Sequence, residues 1–360
     1  LTISAFYAAI IDMGLSNAFW NFRLSEHRQG EAKVLFNMLV ATTASGMVLL
    51  ALYLLACWVF PLDQTLTIWL VLLFLSEIGK KFYDTSLMLY TAHDKPYHFL
   101  WGGLWYALLI TGLNFWFLAY LQLSEQGVVY AYVLGAILAG FLFLPYLYKK
   151  SSFQFDGTLI KKMVAYGLPI MTGNLALVFL LLSSRFFLKT YVGDDALGQF
   201  VFANKWGTLA QVLILNAFYT AWNPLRWQIY ERSDAKAHFS RFYRVFVLLL
   251  PLFGFALMAS VYLLVPLITY DQTFLQGMYL LPFIVMAYVF FAFYYFDSMA
   301  FLFKHQTKFV WYIMSITAVS NVLLNAWLVP TYQLLGAAWA FLASYAVMML
   351  LTRMLSKRLY

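Results

Sequence analysis

The sequence predicts an all-α integral membrane protein built from two similar halves. Hydrophobic residues make up 64% of the 360-residue chain and charged residues only 11%, whereas a soluble domain is about 45–50% apolar and about 25% charged. Long apolar runs recur along the whole chain without the alternation of a barrel strand. Short sequence matches also relate the second half of the chain to the first. Together these observations exclude an ordinary soluble enzyme.

Eleven membrane spans are predicted, each with enough apolar residues to cross about 30 Å of hydrocarbon as a helix. Their approximate bounds are 1–20, 34–60, 66–92, 97–120, 127–148, 164–189, 197–222, 242–265, 278–303, 308–329 and 335–353. The first span lacks the basic start and the cleavage site of a signal peptide. It begins at residue 1, so we expect the sequence to be a fragment of a longer chain.

Basic residues alternate from loop to loop and predict the orientation of the spans. The loops after the first, third, fifth, seventh and ninth spans and the C-terminal tail contain Lys and Arg, whereas the intervening loops contain neither. The positive-inside rule places the basic loops in the cytoplasm. We therefore attribute the net charge of +8 to membrane orientation and expect no nucleic-acid partner. The basic segment 149–163 is predicted to be a cytoplasmic linker between an N-lobe, 1–148, and a C-lobe, 164–360.

An internal repeat crosses this linker. Asn114-Phe-Trp-Phe-Leu in the fourth span matches Asn325-Ala-Trp-Leu-Val in the tenth. Gly127 opens the fifth span and Gly336 opens the eleventh, and both are followed by similar apolar and aromatic residues. Matched spans have the same predicted orientation. The halves are therefore interpreted as parallel repeats about an axis along the membrane normal, which several transporter folds share.

Two cations lie inside predicted spans, Arg185 in the outer half of the sixth and Lys205 in the outer half of the seventh. A charge at the centre of a spanning helix costs at least about 2.5–3.5 kcal/mol, so such a residue usually faces a partner or a wet cavity. One interpretation is that both side chains snorkel to the outer headgroups. The other is that they face a cavity and bind a diphosphate, for which Arg offers a fork and Lys a point charge.

The third span contains a charged face formed by Glu77, Lys80, Lys81 and Asp84, which lie within an arc of about 100° at helical spacing. One interpretation is a self-neutral ladder packed against a neighbouring helix. The other is a polar cavity wall that leaves a lysine free to meet a diphosphate. Under the second hypothesis, Lys80 and Lys81 serve an inward-open state, and Lys205 and Arg185 serve an outward-open one.

Four further polar residues are candidates for a cavity or for ion coupling. Asp12 and Asp297 lie in the cytoplasmic halves of their spans; they can bind a proton or a sodium ion, and pairing with a basic neighbour is the favoured interpretation. Asn321 and Asn325 share a face of the tenth span. Hydrogen bonding to a sugar and hydrogen bonding between helices remain equally open.

Several absences narrow the function. The single cysteine, Cys57, excludes an internal disulfide, and all five histidines lie in or beside cytoplasmic loops, so a metal site within the membrane is not expected. No G-x-x-x-x-G-K-[ST] stretch for nucleotide hydrolysis exists in the sequence, and no loop can hold a soluble catalytic domain. Gly167 and Pro169 can be hinges, but the favoured interpretation is that they begin the sixth helix.

The order and spacing of short motifs over nearly the whole chain resemble the polysaccharide (O-antigen) flippases of the multidrug/oligosaccharidyl-lipid/polysaccharide exporter superfamily. The motifs are Asp12-Met-Gly-Leu-Ser-Asn17 followed by Arg23, Tyr166-Gly-Leu-Pro169, Ser184-Arg-Phe-Phe-Leu188, Trp222-Asn-Pro224, Tyr294-Tyr-Phe-Asp297, Lys304-His-Gln-Thr-Lys308, Asn321-Val-Leu-Leu-Asn325 and Leu328-Val-Pro330. One departure is Ser184, because many relatives have Asp before the arginine. Arg185 therefore lacks that neighbouring counter-ion.

The resemblance implies two six-helix lobes around a central cavity, with the first family helix absent from this sequence. It implies a non-enzymatic protein without a cofactor, in the bacterial plasma (inner) membrane. This protein would flip undecaprenyl-pyrophosphate-linked oligosaccharide from the inner to the outer leaflet by alternating access, for O-antigen and lipopolysaccharide biosynthesis. Coupling to a proton or sodium gradient is left open. A polysaccharide polymerase and assembly glycosyltransferases are the partners that the resemblance implies, besides the membrane lipid.

Alternative functions remain open at this stage. A multidrug or cation antiporter of the same superfamily would favour acidic, apolar-lined sites, against which the intramembrane cations argue. A peptidoglycan lipid-precursor flippase differs only in the lipid-linked substrate. An integral-membrane polymerase would need an outward arginine pair or a long outer loop, and the sequence has neither. A purely structural scaffold would not require charged residues inside the membrane.

Overall fold

The computed structural model describes residues 2–25, 27–59, 64–230, 232–269 and 272–357, and these residues form helices and connecting turns without a β-strand. The chain divides into two compact units, residues 1–171 and residues 172–360. We call them the N-terminal unit and the C-terminal unit. The predicted all-α membrane fold is confirmed, whereas the lobe boundaries at 148 and 164 stay a prediction.

The helices of the N-terminal unit follow one another with short connections. They are α1 (Thr2–Asp12), α2 (Leu15–Ser25), α3 (His27–Val59), α4 (Gln64–Ala92), α5 (Pro96–Phe115) with a π-helical end (Trp116–Tyr120), α6 (Ser124–Lys150) and the first part of α7 (Gly157–Tyr191). The first predicted span is thus two helices, separated at Met13 and Gly14, which have φ values of 48° and 69°.

In the part that the structure describes, the C-terminal unit contains the rest of α7 and seven further α-helices. They are α8 (Asp194–Ala210), a π-helical segment (Gln211–Asn216), α9 (Ala217–Tyr230), α10 (Ala235–Ile268), α11 (Gln272–Gln276) with a 3₁₀ turn (Gly277–Leu280), α12 (Leu281–Asp297), α13 (Met299–Phe303) and α14 (Lys308–Ser356).

The helix α14 contains two predicted spans and folds back on itself. Gln333 has non-helical angles, φ 51° and ψ −123°, and thereby divides the helix into two arms. A Cβ atom added to Gly336 would overlap the carbonyl of Leu328, so the arms meet closely beside the turn. Glycine is therefore the residue that this hairpin requires.

Seven stretches of the described residues are long and apolar enough to cross a bilayer. They are Gly30–Val59, Pro96–Tyr120, Gln126–Lys150, Gly157–Tyr191, Ala235–Ile268, Thr273–Phe303 and Lys308–Ser356. Since the last contains two spans, they account for eight of the eleven predictions. The other three spans are those with Asp12, with the charged face of α4 and with Lys205. The first and the last of these are divided into helices of at most 17 residues, whereas α4 is long but carries the charged face.

Two expectations about the sixth span were wrong. Helix α7 begins at Gly157, not near 164, because the Asp156 carboxylate accepts hydrogen bonds from the backbone N–H groups of Thr158 and Leu159, each at 3.0 Å. This is an N-cap arrangement. Pro169 therefore lies inside the helix, and neither it nor Gly167 begins it. Only residues 151–156 of the predicted linker lie outside helices.

Residues 151–156, which we call the strap, are fastened to the start of α3. The buried amide of Asn37 donates to the Gln154 carbonyl at 2.8 Å and accepts from the Asp156 N–H at 2.7 Å. Lys33 pairs with Asp156 at 2.7 Å. This lysine and the N–H of Leu159 hold the pKa of Asp156 below its usual range. A carboxyl group with a lowered pKa stabilises the fold at any pH above the pKa that it has in the unfolded chain. This stabilisation is lost as the pH falls through the lowered pKa of the folded state.

Replacing Asn37 by Ala is expected to release the strap. The substitution removes two buried hydrogen bonds to the strap, each contributing about 0.5–1.5 kcal/mol. Hydrogen exchange of the Asp156 amide should therefore become at least about tenfold faster. Asn114→Ala is the matched control, because the bond of the Asn114 amide among the described residues is to the Ile110 carbonyl of its own helix. Equal protection of Asp156 in wild type and Asn37→Ala would contradict the fastening role of Asn37.

Helices α4 and α6 pack closely in the N-terminal unit because both have glycine at their crossing. A Cβ atom on Gly79 would lie 2.9 Å from the carbonyl oxygen of Ala136, and one on Gly140 would meet the backbone of Gly79. Small residues spaced in this way let helix backbones approach in membranes. The approach of α6 to α4 positions Tyr132 beside the charged face of α4.

Candidate functional site

The predicted site residues lie in two separate groups, one in each unit. The N-terminal unit contains Asp12 and the four residues of the charged face of α4. The C-terminal unit contains Asp297 and the two cations Arg185 and Lys205. The remaining two are the asparagines of α14. Each group is built from helices of its own unit.

In the N-terminal unit, Lys81 pairs with Asp12 across two helices. Asp12 is the last residue of α1, and its carboxylate accepts from the Ser16 hydroxyl at 2.8 Å and from the Ser16 N–H at 3.3 Å. The Lys81 ammonium donates to the same carboxylate and to the Ser16 hydroxyl. The two charged side chains are only 13% and 18% exposed. The favoured interpretation of Asp12, pairing with a basic residue, agrees with this geometry.

Lys80 points to a partner on its own helix. Its ammonium lies 2.6 Å from the Asp84 carboxylate, one turn later on α4. Here the side chains are 31% and 43% exposed, so solvent weakens the attraction between them. Both lysines of the charged face thus have a carboxylate partner. An incoming anion has to compete with Asp12 or Asp84 for them.

Glu77 is the most buried member of the charged face, with 4% exposure. Its carboxylate accepts a hydrogen bond from the Tyr132 hydroxyl on α6 at 2.5 Å. A buried carboxylate is costly unless it is hydrogen-bonded or protonated, and this bond joins α4 to α6. The charged face is therefore partly the predicted ladder and partly a set of bonds to neighbouring helices.

In the C-terminal unit, Arg185 lies half-buried on α7 and makes no ion pair with any residue that the structure describes. It interacts electrostatically with the hydroxyl of Tyr288 on α12. That hydroxyl in turn lies 3.5 Å from the side-chain oxygen of Asn204 on α8. Helices α8 and α12 therefore bring an amide and a phenol together, and α7 adds a guanidinium within electrostatic range of the phenol.

Lys205 follows Asn204 on α8 and is exposed. Like Arg185, it has no carboxylate partner among the described residues. Lys189, one turn beyond Arg185, differs: it is 67% exposed and pairs with Asp194 at 3.4 Å. The structure thus distinguishes two cations without a counter-ion from a neighbouring cation that has one.

Asn321 and Asn325 form a buried hydrogen-bond network between α7 and the two arms of α14. Asn321 accepts from Ser183 and donates to Ser344 at 3.0 Å and to the Ala340 carbonyl at 3.3 Å. Asn325 donates to Ser184 at 3.1 Å. Both asparagines are fully buried. This geometry supports hydrogen bonding between helices and gives a sugar no access to either amide.

Asp297 ends α12, and one of its oxygens is buried without a hydrogen bond from any described residue. Lys357 interacts with it electrostatically, but the two groups form no direct salt bridge in the described part of the chain, so the favoured pairing of Asp297 stays a prediction. Among the described residues, no group of three or more His, Cys, Asp or Glu side chains is arranged to hold a metal ion.

Sequence reasoning missed the partners of these charges. Tyr132, Ser16 and Tyr288 were not predicted site residues, although each interacts with one that was. Asn204, which was not predicted either, lies beside Tyr288. Their only signal in the sequence is a polar group within an otherwise apolar span. The role of these residues depends on which helices pack together, and a single sequence does not reveal that packing.

Comparison with known proteins identifies relatives of the whole fold. The family model described as polysaccharide biosynthesis protein matches residues 1–229. No curated protein matches the chain. The match agrees with the resemblance drawn from the sequence motifs.

Solved transporter structures share the fold at low identity. A MATE in the straight conformation has a TM-score of 0.71 at 15% identity, over 99% of this chain and 86% of that one. An outward-facing multidrug resistance MATE family transporter of the MOP superfamily has a TM-score of 0.69 at 16% identity, with the same coverage. A MOP superfamily transporter from Pyrococcus furiosus, whose binding pocket is described as having reverse polarity, has a TM-score of 0.67 at 16% identity, over 99% and 86%. At these identities the likeness shows the fold alone.

Proposed function

Because the chain belongs to the polysaccharide biosynthesis protein family, we propose that it transports undecaprenyl-pyrophosphate-linked oligosaccharide across a bacterial plasma (inner) membrane. The protein would move the lipid headgroup from the inner to the outer leaflet during assembly of a surface polysaccharide such as O-antigen. It is a multi-pass membrane protein, and in this proposal it acts as a transporter and not as an enzyme.

The observation that carries the proposal is Arg185. A guanidinium within a spanning helix needs an anionic partner or water, and no described residue supplies a carboxylate. A diphosphate supplies several oxygens, which a guanidinium can bind through two parallel hydrogen bonds.

The proposed mechanism is alternating access. Arg185 and Lys205 hold the diphosphate, while the undecaprenyl tail stays in the bilayer. In the N-terminal unit, Lys80 and Lys81 exchange their carboxylate partners for the diphosphate in the inward-open state. Glu77 and Asp12 are the carboxylates in this unit for coupling to a proton or sodium gradient. A polysaccharide polymerase and assembly glycosyltransferases are the proposed protein partners.

The test is translocation of a fluorescent undecaprenyl-pyrophosphate oligosaccharide in liposomes that contain the full-length protein. Arg185→Ala is expected to slow translocation by about tenfold or more, since a hydrogen bond to a charged group contributes about 1.5–3 kcal/mol. Lys189→Ala is the matched control, because it removes an exposed cation that already pairs with Asp194. Wild-type rates in Arg185→Ala would refute the role of Arg185 but not transport itself.

A second candidate is a multidrug or cation antiporter of the same superfamily. The buried carboxylate of Glu77 favours it, because an acidic group in an apolar surrounding can attract a cation. Proton-driven uptake of a cationic dye into the same liposomes, together with no movement of any undecaprenyl-linked glycan, would favour this alternative. Movement of a peptidoglycan lipid precursor in place of the oligosaccharide would identify the third candidate, a precursor flippase.

A further inference from the structure

The ends of three helices in the C-terminal unit enclose a small basic pocket that the proposed transport does not use. The pocket lies where α10 begins and where α12 and α14 end, and its volume is about 220 Å³. Lys236, Arg353 and Lys357 line it, together with the hydroxyl-bearing Ser240 and the carboxylate of Asp297. The positive-inside rule predicts that this end of the unit faces the cytoplasm.

The three cations of this pocket outnumber its one carboxylate, and none of them forms a direct ion pair within the described part of the chain. Lys236, Arg353 and Lys357 form no salt bridge with any residue that the structure describes. Asp297 offers one negative charge, and its electrostatic partner is Lys357. Arg353 lies over the ring of Tyr243, with 5.0 Å between the guanidinium carbon and the ring centre. This contact places the guanidinium at the pocket wall, and its N–H groups donate no hydrogen bond to any residue within the described ranges.

The helix dipoles favour the positions of two of these cations but not the position of the third. Arg353 and Lys357 lie at the C-terminal end of α14, where a positive charge is favoured. Lys236 is the second residue of α10, and a positive charge in the first turn of a helix is unfavourable. Its nearest acidic residue in the chain, Asp234, is paired with Arg232 and His238. An anion in the pocket would therefore relieve the unfavourable position of Lys236.

We propose that this pocket binds the phosphate group of an anionic ligand on the cytoplasmic side. The volume lies below the range of about 300–1,000 Å³ for drug-sized ligands, so it fits one phosphate and not an oligosaccharide. Lys236, Arg353 and Lys357 supply the charge, and Ser240 supplies a hydroxyl donor. The phosphate can belong to an anionic phospholipid of the inner leaflet or to a soluble phosphate compound, and both present the same group to the pocket.

The test measures binding to the full chain in detergent with three probes: short-chain phosphatidylglycerol, short-chain phosphatidylcholine and inorganic phosphate. Wild type is expected to bind phosphatidylglycerol at least about tenfold more tightly than phosphatidylcholine. If inorganic phosphate displaces phosphatidylglycerol at similar concentrations, the phosphate alone is recognised and the source is soluble. If it does not, the lipid is the source. Failure of both anionic probes to bind overturns the proposal.

Variants separate the pocket from the general basic surface. The triple variant Lys236→Gln, Arg353→Gln and Lys357→Gln should lose about 100-fold in affinity, since each cation near a membrane surface is equivalent to about fivefold. The matched control removes three exposed cations outside the pocket, with the substitutions Arg241→Gln, Lys304→Gln and Lys308→Gln. An equal loss in both triples means that only surface charge matters, and overturns the proposal.

A single substitution should change binding in the opposite direction. Asp297→Asn removes the one negative charge of the pocket, so anion binding should tighten by about fivefold. Weaker or unchanged binding in this variant would contradict an anion held beside Asp297. None of these measurements involves transport or Arg185, so their failure leaves the proposed translocation untouched, and failure of translocation leaves this pocket untouched.

Discussion

Replacing Lys81 by Met is expected to destabilise the N-terminal unit by about 3 kcal/mol. The substitution keeps the volume of the side chain but removes the positive charge, which leaves the carboxylate of Asp12 without its partner at 18% exposure. Breaking a buried ion pair in this way typically costs about 3–5 kcal/mol. Unfolding by denaturant in detergent, followed by tryptophan fluorescence, measures the change.

Two companion variants decide whether the ion pair is the cause. Asp12→Asn in the Lys81→Met background removes the unpaired charge and should recover most of the lost stability. Lys80→Met breaks the more exposed pair with Asp84 and should cost less than about 1 kcal/mol. Equal destabilisation by Lys80→Met and Lys81→Met would show that burial of the Asp12 pair is not what matters.

Gly14→Ala is expected to destabilise the same unit by a similar amount, about 3 kcal/mol. Gly14 has a φ of 69°, in the left-handed region, where a residue with a Cβ atom costs about 1–2 kcal/mol. The added Cβ would also overlap the backbone of Gly167 on α7, and overpacking typically costs about 1–3 kcal/mol more. The same denaturant unfolding measures the effect.

Gly112→Ala and Gly103→Ala are the matched controls for this substitution. Both glycines lie within α5, and a Cβ atom on either meets nothing within 4 Å. Alanine is the better helix former by about 0.5–1 kcal/mol, so these variants should be slightly more stable than wild type. A Gly14→Ala protein as stable as these controls would refute both the strain and the close approach to Gly167.

In the charged face of α4, the contacts within the helix could be predicted from the sequence, but the contacts to other helices could not. Periodicity placed Glu77, Lys80, Lys81 and Asp84 on one face, and the local pair of Lys80 with Asp84 follows from that spacing alone. The bonds of Lys81 to Asp12 and of Glu77 to Tyr132 join helices that are distant in sequence. They depend on which helices are neighbours, so spacing along one helix could not reveal them.

Helix ends were harder to predict than helices. Hydropathy located the sixth span by its apolar residues and so missed the first turns of α7, which are polar and begin with the cap at Asp156. The same reasoning took the shared face of Asn321 and Asn325 to be equally suited to a cavity wall and to a helix contact. Their full burial is a property of packing, which periodicity does not contain.

The hairpin of α14 also bears on how the chain enters the membrane. Asn321 finds its partners Ala340 and Ser344 only 19 and 23 residues later, because the turn at Gln333 brings the second arm back alongside the first. A segment with two asparagines is a poor candidate to partition into lipid alone. Leaving the translocon together with its successor, it satisfies the Asn321 amide within the hairpin, before the hairpin has packed against α7, which was synthesised earlier.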